Sequence, residues 1–298
     1  MEYEDPSDWS VIVMTDQRKD DSIQYIKTDD GVDIPVRIFG TEGDKPPLVM
    51  LHGIQSHSGW FLESARFIAS LGHPVYSFDR RGSGMSKERH GHVARFETLV
   101  DEAYAVVETA MKRHHGQRVH LLGHCFGAIP MTYLACRYPD MVESLIYSTP
   151  GILTRAFFSP AGNLRIALWQ TIDPTHNITL ILPPEDMADL DDGRRMIRED
   201  SLALHEMTAK LLFECFWARV HLRKRMRQLT LPLFVALAAN DRVTNNQRTT
   251  ALFDTVPSAI KKVKVYEKAT HLLEFSEAKD AFFGDLADWL GGGYRHNP

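Results

Sequence analysis

Apolar and polar residues alternate along two early stretches of the chain, and several later stretches are continuously apolar. Residues 22–28 and 34–39 alternate with Asp29, Asp30 and Gly31 between them, which predicts an antiparallel hairpin with a tight turn. Continuous apolar runs are typical of strands that are covered on both faces of a sheet. The strands of a largely buried sheet are therefore predicted at residues 47–51, 75–78, 119–122, 145–147, 233–237 and 263–266.

Segments with helical periodicity separate these apolar runs. Helices are predicted over residues 61–71, 96–114, 128–135, 248–253 and 278–290. An antiparallel start that is followed by repeated strand–helix units predicts an α/β fold. In this fold a mostly parallel central sheet is flanked by helices on both faces.

The strand–helix alternation stops between residues 151 and 229. No convincing strand-like run occurs there, and several prolines interrupt a segment that is otherwise helical and irregular. We expect this segment to be an inserted helical cap over one end of the sheet. The predicted domains are a core of residues 1–150 and 230–298 and a cap of residues 151–229.

A cysteine lies in the sharp turn that is predicted between the strand at 119–122 and the helix at 128–135. Residues 123–127 read Gly-His-Cys-Phe-Gly, which is the G-x-S-x-G pattern of a nucleophile elbow with Cys125 in place of serine. Bulkier residues at the two glycines would collide with the strand and the helix. The start of a helix also favours a thiolate. The alternative is a buried structural cysteine in a glycine-flanked turn.

Two further residues suit a catalytic triad. A thiol nucleophile needs a base that takes its proton and a carboxylate that orients the base. Asp241 follows the predicted strand at 233–237, and His271 follows the one at 263–266. Taken singly, they would be a turn carboxylate and a structural histidine. Because the carboxyl ends of parallel strands meet at one edge of a sheet, Cys125, Asp241 and His271 are the predicted catalytic residues.

The negative charge of a tetrahedral intermediate needs hydrogen-bond donors. With an elbow of this kind, one backbone N–H comes from the residue after the nucleophile and one from the loop after the third strand. The predicted oxyanion hole is therefore formed by Phe126 and Ile54, with Gln55 as the alternative to Ile54.

Composition and charge narrow the classes of function. The 298 residues carry a formal net charge of −5, so we expect no nucleic-acid partner. Cys125, Cys136 and Cys215 form no disulfide framework, and the acidic N-terminus has no apolar secretion signal, so a cytoplasmic location is expected. No spacing of histidines and cysteines is typical of zinc, and neither a metal nor a cofactor is expected.

These motifs resemble those of the α/β-hydrolase superfamily and, within it, of the monoacylglycerol lipase and lysophospholipase-like branch. The resemblance implies an α/β-hydrolase fold with a cap, and hydrolysis of carboxylic esters through an acyl-enzyme without a cofactor. The departure is Cys125, because that branch uses serine at this position. The similar segments are residues 51–53, 57–59, 78–86, 123–127, 239–243 and 270–271.

Sulfur at the nucleophile position changes the expected chemistry. A thioester is more reactive toward amines and thiols, relative to water, than an oxygen ester is. We expect an acyl hydrolase that acts on a small-molecule ester or thioester with a hydrophobic acyl group. One alternative is an acyltransferase that passes the acyl group from Cys125 to an amine or alcohol. Another is a non-catalytic binding protein on the same fold.

The apolar residues of the predicted cap favour a hydrophobic acyl group. We expect a tunnel for the acyl chain and, because Arg155 and Arg165 stand beside apolar groups, a peripheral contact with a membrane or micelle surface. The alternative is that the apolar residues only pack on the core. The predicted substrate-binding residues lie in the cap and near the oxyanion loop, and they are Gln55, Trp60, Phe157, Leu168, Trp169 and Phe216.

Overall fold

The computed structural model describes residues 22–155, 160–180 and 182–295 of the chain. Its strands are β1 Ser22–Lys27, β2 Asp33–Phe39, β3 Leu48–Leu51, β4 Val75–Phe78, β5 Val119–His124, β6 Val142–Ser148, β7 Asn177–Thr179, β8 Glu206–Thr208, β9 Leu233–Ala238 and β10 Lys261–Tyr266. Its helices are α1 Leu62–Ser70, α2 Phe96–Arg113, α3 Ala128–Arg137, α4 Pro160–Ile172, α5 Pro184–Met187, α6 Asp191–Glu199, α7 Ala209–Met226, α8 Asn246–Asp254 and α9 Lys279–Leu290.

An 8-stranded sheet in the order β1-β2-β4-β3-β5-β6-β9-β10 forms the centre of the molecule. β1 pairs with β2, and β2 pairs with β4, in antiparallel fashion. Every other neighbouring pair in this sheet is parallel. The predicted fold with a mostly parallel central sheet is therefore confirmed. Because the parallel strands end at one edge, the loops that follow β3, β5, β6, β9 and β10 meet there.

Helices cover both faces of this sheet. All residues of Leu48–Leu51 and of Leu233–Ala238 are buried, as their continuous apolar sequences predict. Buried side chains of α2, α3 and α7 pack on one face, and those of α1 and α9 pack on the other. The sheet is thus the middle layer of a three-layer core.

The chain between β6 and β9 contains α4, α5, α6, α7 and a small second sheet. In that sheet β7 and β8 pair antiparallel, with Ile178 opposite Met207. The expectation of no strand between residues 151 and 229 is wrong, because these strands of 3 residues are too short for a periodic pattern. The assignment of 151–229 to a separate cap stays a prediction.

None of the helices in residues 22–155, 160–180 and 182–295 is long and apolar enough to cross a membrane.

A buried carboxylate fastens the segment between β6 and β9 to the core. Asp200 follows α6, and its Oδ2 lies 2.9 Å from Nε2 of His57. The indole N–H of Trp60 donates to the same oxygen at 2.5 Å. Burial raises the pKa of Asp200, but the hydrogen bond and charge of His57, together with the Trp60 hydrogen bond, outweigh it and lower the pKa. His57 and Trp60 lie in the loop after β3, so this contact ties the segment to the edge where the strands end.

Replacing Asp200 with alanine should lower the free energy of unfolding by about 3 kcal/mol, because two buried donors lose their acceptor. Since the pKa of Asp200 is lowered in the folded protein, its contribution is present above the pKa of an unfolded aspartate. It is lost as the pH falls through the folded-state pKa. Urea unfolding of both proteins at several pH values measures the difference.

The matched control is Asp192→Ala, in the same segment, whose side chain is 90% exposed. This change should alter the free energy of unfolding by less than about 0.5 kcal/mol. Equal losses in the two variants would contradict an anchoring role for Asp200.

Candidate active site

The turn at Cys125 has a strained backbone that its neighbours hold in place. Cys125 follows β5 directly and has a backbone φ of +46°, a value that residues other than glycine rarely adopt. A 3₁₀ turn of 3 residues begins there and leads into α3. A Cβ on Gly123 would lie 2.5 Å from Cα of Ala128, and one on Gly127 would collide with the end of β3. Glycine is therefore required on both sides of Cys125 for steric reasons.

His271 and Asp241 form a buried pair at the same edge of the sheet. Nδ1 of His271 lies 2.9 Å from Oδ2 of Asp241, and both side chains are 0% exposed. The other carboxylate oxygen, Oδ1, accepts the backbone N–H groups of Val243 and Thr244 at 2.7 and 2.8 Å. The hydroxyl of Thr244 donates to Oδ2 at 2.6 Å. These donors fix the carboxylate, which in turn fixes the orientation of the imidazole.

The charges around His271 favour its protonated form. Burial lowers the pKa of His271, but the negative charges of Asp241 and Cys125 outweigh burial and raise it to about 10. Cys125 acts on this imidazole through a side-chain hydrogen bond as well as through its charge. The structure therefore brings Cys125 next to the buried Asp241–His271 pair.

Two residues that the sequence analysis missed, His124 and Thr149, contact His271. The ring of His124 packs against that of His271, with 5.2 Å between the ring centres. Burial, and then the charge of His271, keep the pKa of His124 well below its usual value, so this ring is neutral. Thr149, at φ +42°, donates its hydroxyl to the backbone oxygen of His271 at 2.8 Å. Their only sequence signal is that they lie at the ends of β5 and β6.

Ile54 and Phe126, the residues of the predicted oxyanion hole, lie beside the nucleophile. Both line the same cavity as Cys125. The backbone N–H of Ile54 has no acceptor among the residues that the structure describes. An N–H in this state is available to a developing negative charge.

Arg80 is a buried cation that contacts both of these residues. It is 0% exposed, and its Nη2 donates to the backbone oxygen of Ile54 at 2.6 Å. Its Cζ lies 5.5 Å from the centre of the Phe126 ring, a cation–π distance. Burial lowers the pKa of Arg80 to about 10, so the guanidinium is still charged at neutral pH. Sequence reasoning missed this residue, because an arginine in a glycine-rich turn resembles an exposed one.

A cavity of about 690 Å³ lies beside Cys125. Apolar side chains form much of its wall, among them Ile152, Ile166, Leu180 and Leu212. Such a concave, largely apolar site with a few polar groups is typical of a small-molecule pocket.

The predicted substrate-binding residues divide between this cavity and other places. Phe216 lines the cavity, whereas Gln55, Trp60, Leu168 and Trp169 do not. Gln55 is buried, and its backbone oxygen accepts the N–H of Leu204, in the segment between β6 and β9. Trp60 contacts Asp200. Leu168 is 56% exposed, and Trp169 stacks on a neighbouring histidine ring. Phe157 lies outside the described residues.

The sequence matches one protein-family model and is similar to monoglyceride lipases. The family model described as "Serine aminopeptidase, S33" matches residues 44–278. The chain is 28% identical over 243 residues to a monoglyceride lipase homolog of Monkeypox virus, which covers 80% of this chain and 87% of that protein. It is 22% identical over 280 residues to the monoglyceride lipase of Homo sapiens, which covers 90% of each.

Solved structures show the same fold. A soluble variant of the monoglyceride lipase from Saccharomyces cerevisiae, in complex with a substrate analog, has a TM-score of 0.83 at 18% identity over 93% of this chain and 96% of that one. The monoacylglycerol lipase of Paleococcus ferrophilus has a TM-score of 0.78 at 21% identity over 86% and 98%. Because the family model spans most of the sequence, this chain belongs to the α/β-hydrolase superfamily, in the family described as Serine aminopeptidase, S33.

Proposed function

We propose that this protein is an acyl hydrolase that cleaves an ester or thioester with a hydrophobic acyl group through an acyl-enzyme on Cys125. The observation that carries the proposal is that Cys125 lines a largely apolar cavity beside the buried Asp241–His271 pair. Family membership supports a hydrolase of the lipase and esterase type. The monoglyceride lipases among its relatives favour a lipid ester as the substrate.

In the proposed reaction the Cys125 thiolate attacks the carbonyl carbon, and the carbonyl electron pair moves to oxygen as the C–S bond forms. The N–H groups of Ile54 and Phe126 stabilise this oxyanion, each by about 3–4 kcal/mol. Protonated His271, held by Asp241, gives its proton to the leaving alcohol or thiol as the bond to the carbonyl breaks. His271 then takes a proton from the water that attacks the thioester, and collapse releases the acid and the Cys125 thiolate.

We also propose that the outer faces of α4 and α7 contact a lipid surface. Leu164, Leu168 and Ile172 recur at helical spacing on α4 and are 72%, 56% and 65% exposed. Phe216 and Trp217 of α7, which also line the cavity, are 48% and 43% exposed. An apolar face of this kind beside basic residues is typical of an interfacial helix.

Cys125→Ser should lower the ratio of acyl transfer to hydrolysis, because an oxygen ester reacts less readily with amines than a thioester does. The measurement is mass spectrometry of the products from a medium-chain acyl ester in the presence of an amine acceptor. Cys136→Ser is the control, since this thiol does not line the cavity, and it should leave the ratio unchanged. An unchanged ratio in Cys125→Ser, or full hydrolysis by Cys125→Ala, would refute the proposed chemistry.

The rate of ester hydrolysis should rise with acyl chain length until the cavity is filled, because each buried methylene contributes about 0.8 kcal/mol or less. A series of 4-nitrophenyl esters measures kcat/KM against chain length. Ala167→Trp, which fills part of the cavity, should shorten the preferred chain. Ala161→Trp, at an exposed position of the same helix, should not. Equal turnover of short and long chains would rule out a tunnel for the acyl chain.

Arg80→Met should lower kcat about 10- to 100-fold with a smaller change in KM, because the oxyanion loop loses its support. We assign Arg80 as a positioning residue, since it acts through Ile54 and Phe126. Arg81→Met is the matched control, because Arg81 pairs with Glu102. That change should lower the melting temperature and leave kcat of the folded protein unaltered. A loss confined to stability in Arg80→Met would show a merely structural role.

A further inference from the structure

Several residues that line the cavity beside Cys125 are arginines. Arg155, Arg219, Arg223 and Arg248 contribute to its wall, and none of the described lining residues is an aspartate or a glutamate. The whole chain carries a formal net charge of −5. The positive charge at this cavity is therefore a local feature and not a consequence of the overall composition.

Unlike several other arginines of the described chain, these arginines have no carboxylate partner among the described residues. Arg81, for example, pairs with Glu102 at 2.6 Å. Within the described ranges none of the cavity arginines forms an ion pair, and Arg219 donates instead to the hydroxyl of Thr154 at 2.8 Å. Because each guanidinium has five N–H donors, the cavity arginines keep donors that a ligand can use.

Three of these four arginines stand where the cavity meets solvent. Arg155, Arg223 and Arg248 are exposed, whereas Cys125 and Ile166 of the same lining are buried. A ligand that fills the cavity therefore meets apolar side chains near the nucleophile and positive charge at the opening. A ligand with its carbonyl at Cys125 would therefore pass apolar side chains before it reaches these arginines.

We propose that the substrate carries an anionic group, a carboxylate or a phosphate, at the end of an apolar chain that leads to the scissile ester or thioester. This inference rests on the hydrolase function proposed above. Guanidinium groups bind both anions with paired hydrogen bonds. The headgroups of an anionic lipid surface present the same chemistry, so the test must separate a substrate anion from a membrane.

Binding to the Cys125→Ala protein tests the proposal without turnover. Octyl phosphate and octanol are probes of equal chain length with and without charge, and calorimetric titration measures their affinities. We expect octyl phosphate to bind about tenfold more tightly or better, because its charge is paired at the opening. This preference should shrink as the salt concentration rises. Equal affinities for the two probes would overturn the proposal.

Removal of the charge at the opening should remove the preference. In the Cys125→Ala background, the variant with Arg155→Gln, Arg223→Gln and Arg248→Gln should bind octyl phosphate no more tightly than octanol. The corresponding triple lysine variant should keep most of the preference, because it keeps the charge. If the glutamine variant bound both probes more weakly by the same factor, the arginines would be structural and the proposal would fail.

The control removes the same charge from exposed positions that do not line the cavity, with Arg165→Gln, Arg195→Gln and Arg227→Gln. It should keep the preference for octyl phosphate. Loss of the preference in this control would mean that net charge alone attracts the probe. That result would overturn the proposal.

Turnover and vesicle binding complete the test in protein that retains Cys125. In the glutamine variant, the ratio of kcat/KM for the mono-4-nitrophenyl ester of suberic acid to kcat/KM for 4-nitrophenyl octanoate should fall about tenfold. If wild type hydrolysed neither ester, the hydrolase function would fail, while calorimetry would still decide the anion site. Binding to phosphatidylserine vesicles is measured for wild type and for the glutamine variant. If the three arginines were needed for vesicle binding but gave no preference for octyl phosphate over octanol, they would bind a membrane and not a substrate anion. That result would overturn the proposal.

Discussion

A carboxylate buried away from water stays ionised only where hydrogen bonds and an opposite charge replace its hydration, and Asp241 meets this condition. Two backbone N–H groups and the hydroxyl of Thr244 hold it, and His271 supplies the opposite charge. Asp241 orients the imidazole of His271 and keeps it protonated beside Cys125. Cys125 and Thr149, whose backbones are strained, lie at the same edge of the sheet, directly after β5 and β6. Without this pair, the cavity would contain a thiol with no proton donor or acceptor fixed next to it.

The oxyanion loop after β3 is held from two sides. From the core, the guanidinium of Arg80 donates to the backbone oxygen of Ile54. From the segment between β6 and β9, Asp200 accepts from His57 and Trp60, and the N–H of Leu204 donates to the backbone oxygen of the residue after Ile54. The position of the predicted oxyanion donors thus depends on the docking of that segment as well as on the core sheet.

Much of the central sheet, and the meeting of Cys125, Asp241 and His271 at one edge of it, could be predicted from the sequence, because parallel topology brings every strand end to one edge. Cys125, Asp241 and His271 were predicted from their places after apolar runs, from the glycine-flanked motif and from their order along the chain. Arg80 and Asp200 could not be found in this way, because their contacts join residues 26 and 143 positions apart. The side of α4 that faces the cavity could not be predicted either. Apolar residues occur all round this helix, so the hydrophobic pattern does not indicate which side is buried.

The wall of the cavity contains a second thiol, that of Cys215. Burial raises the pKa of Cys215 to about 12, with the charge of Arg219 only partly offsetting it, so this sulfur stays protonated in ordinary buffers. A small electrophile that diffuses inside meets two sulfur atoms, and that of Cys125 lies next to the imidazole of His271. The two thiols therefore share one cavity but differ in their electrostatic surroundings.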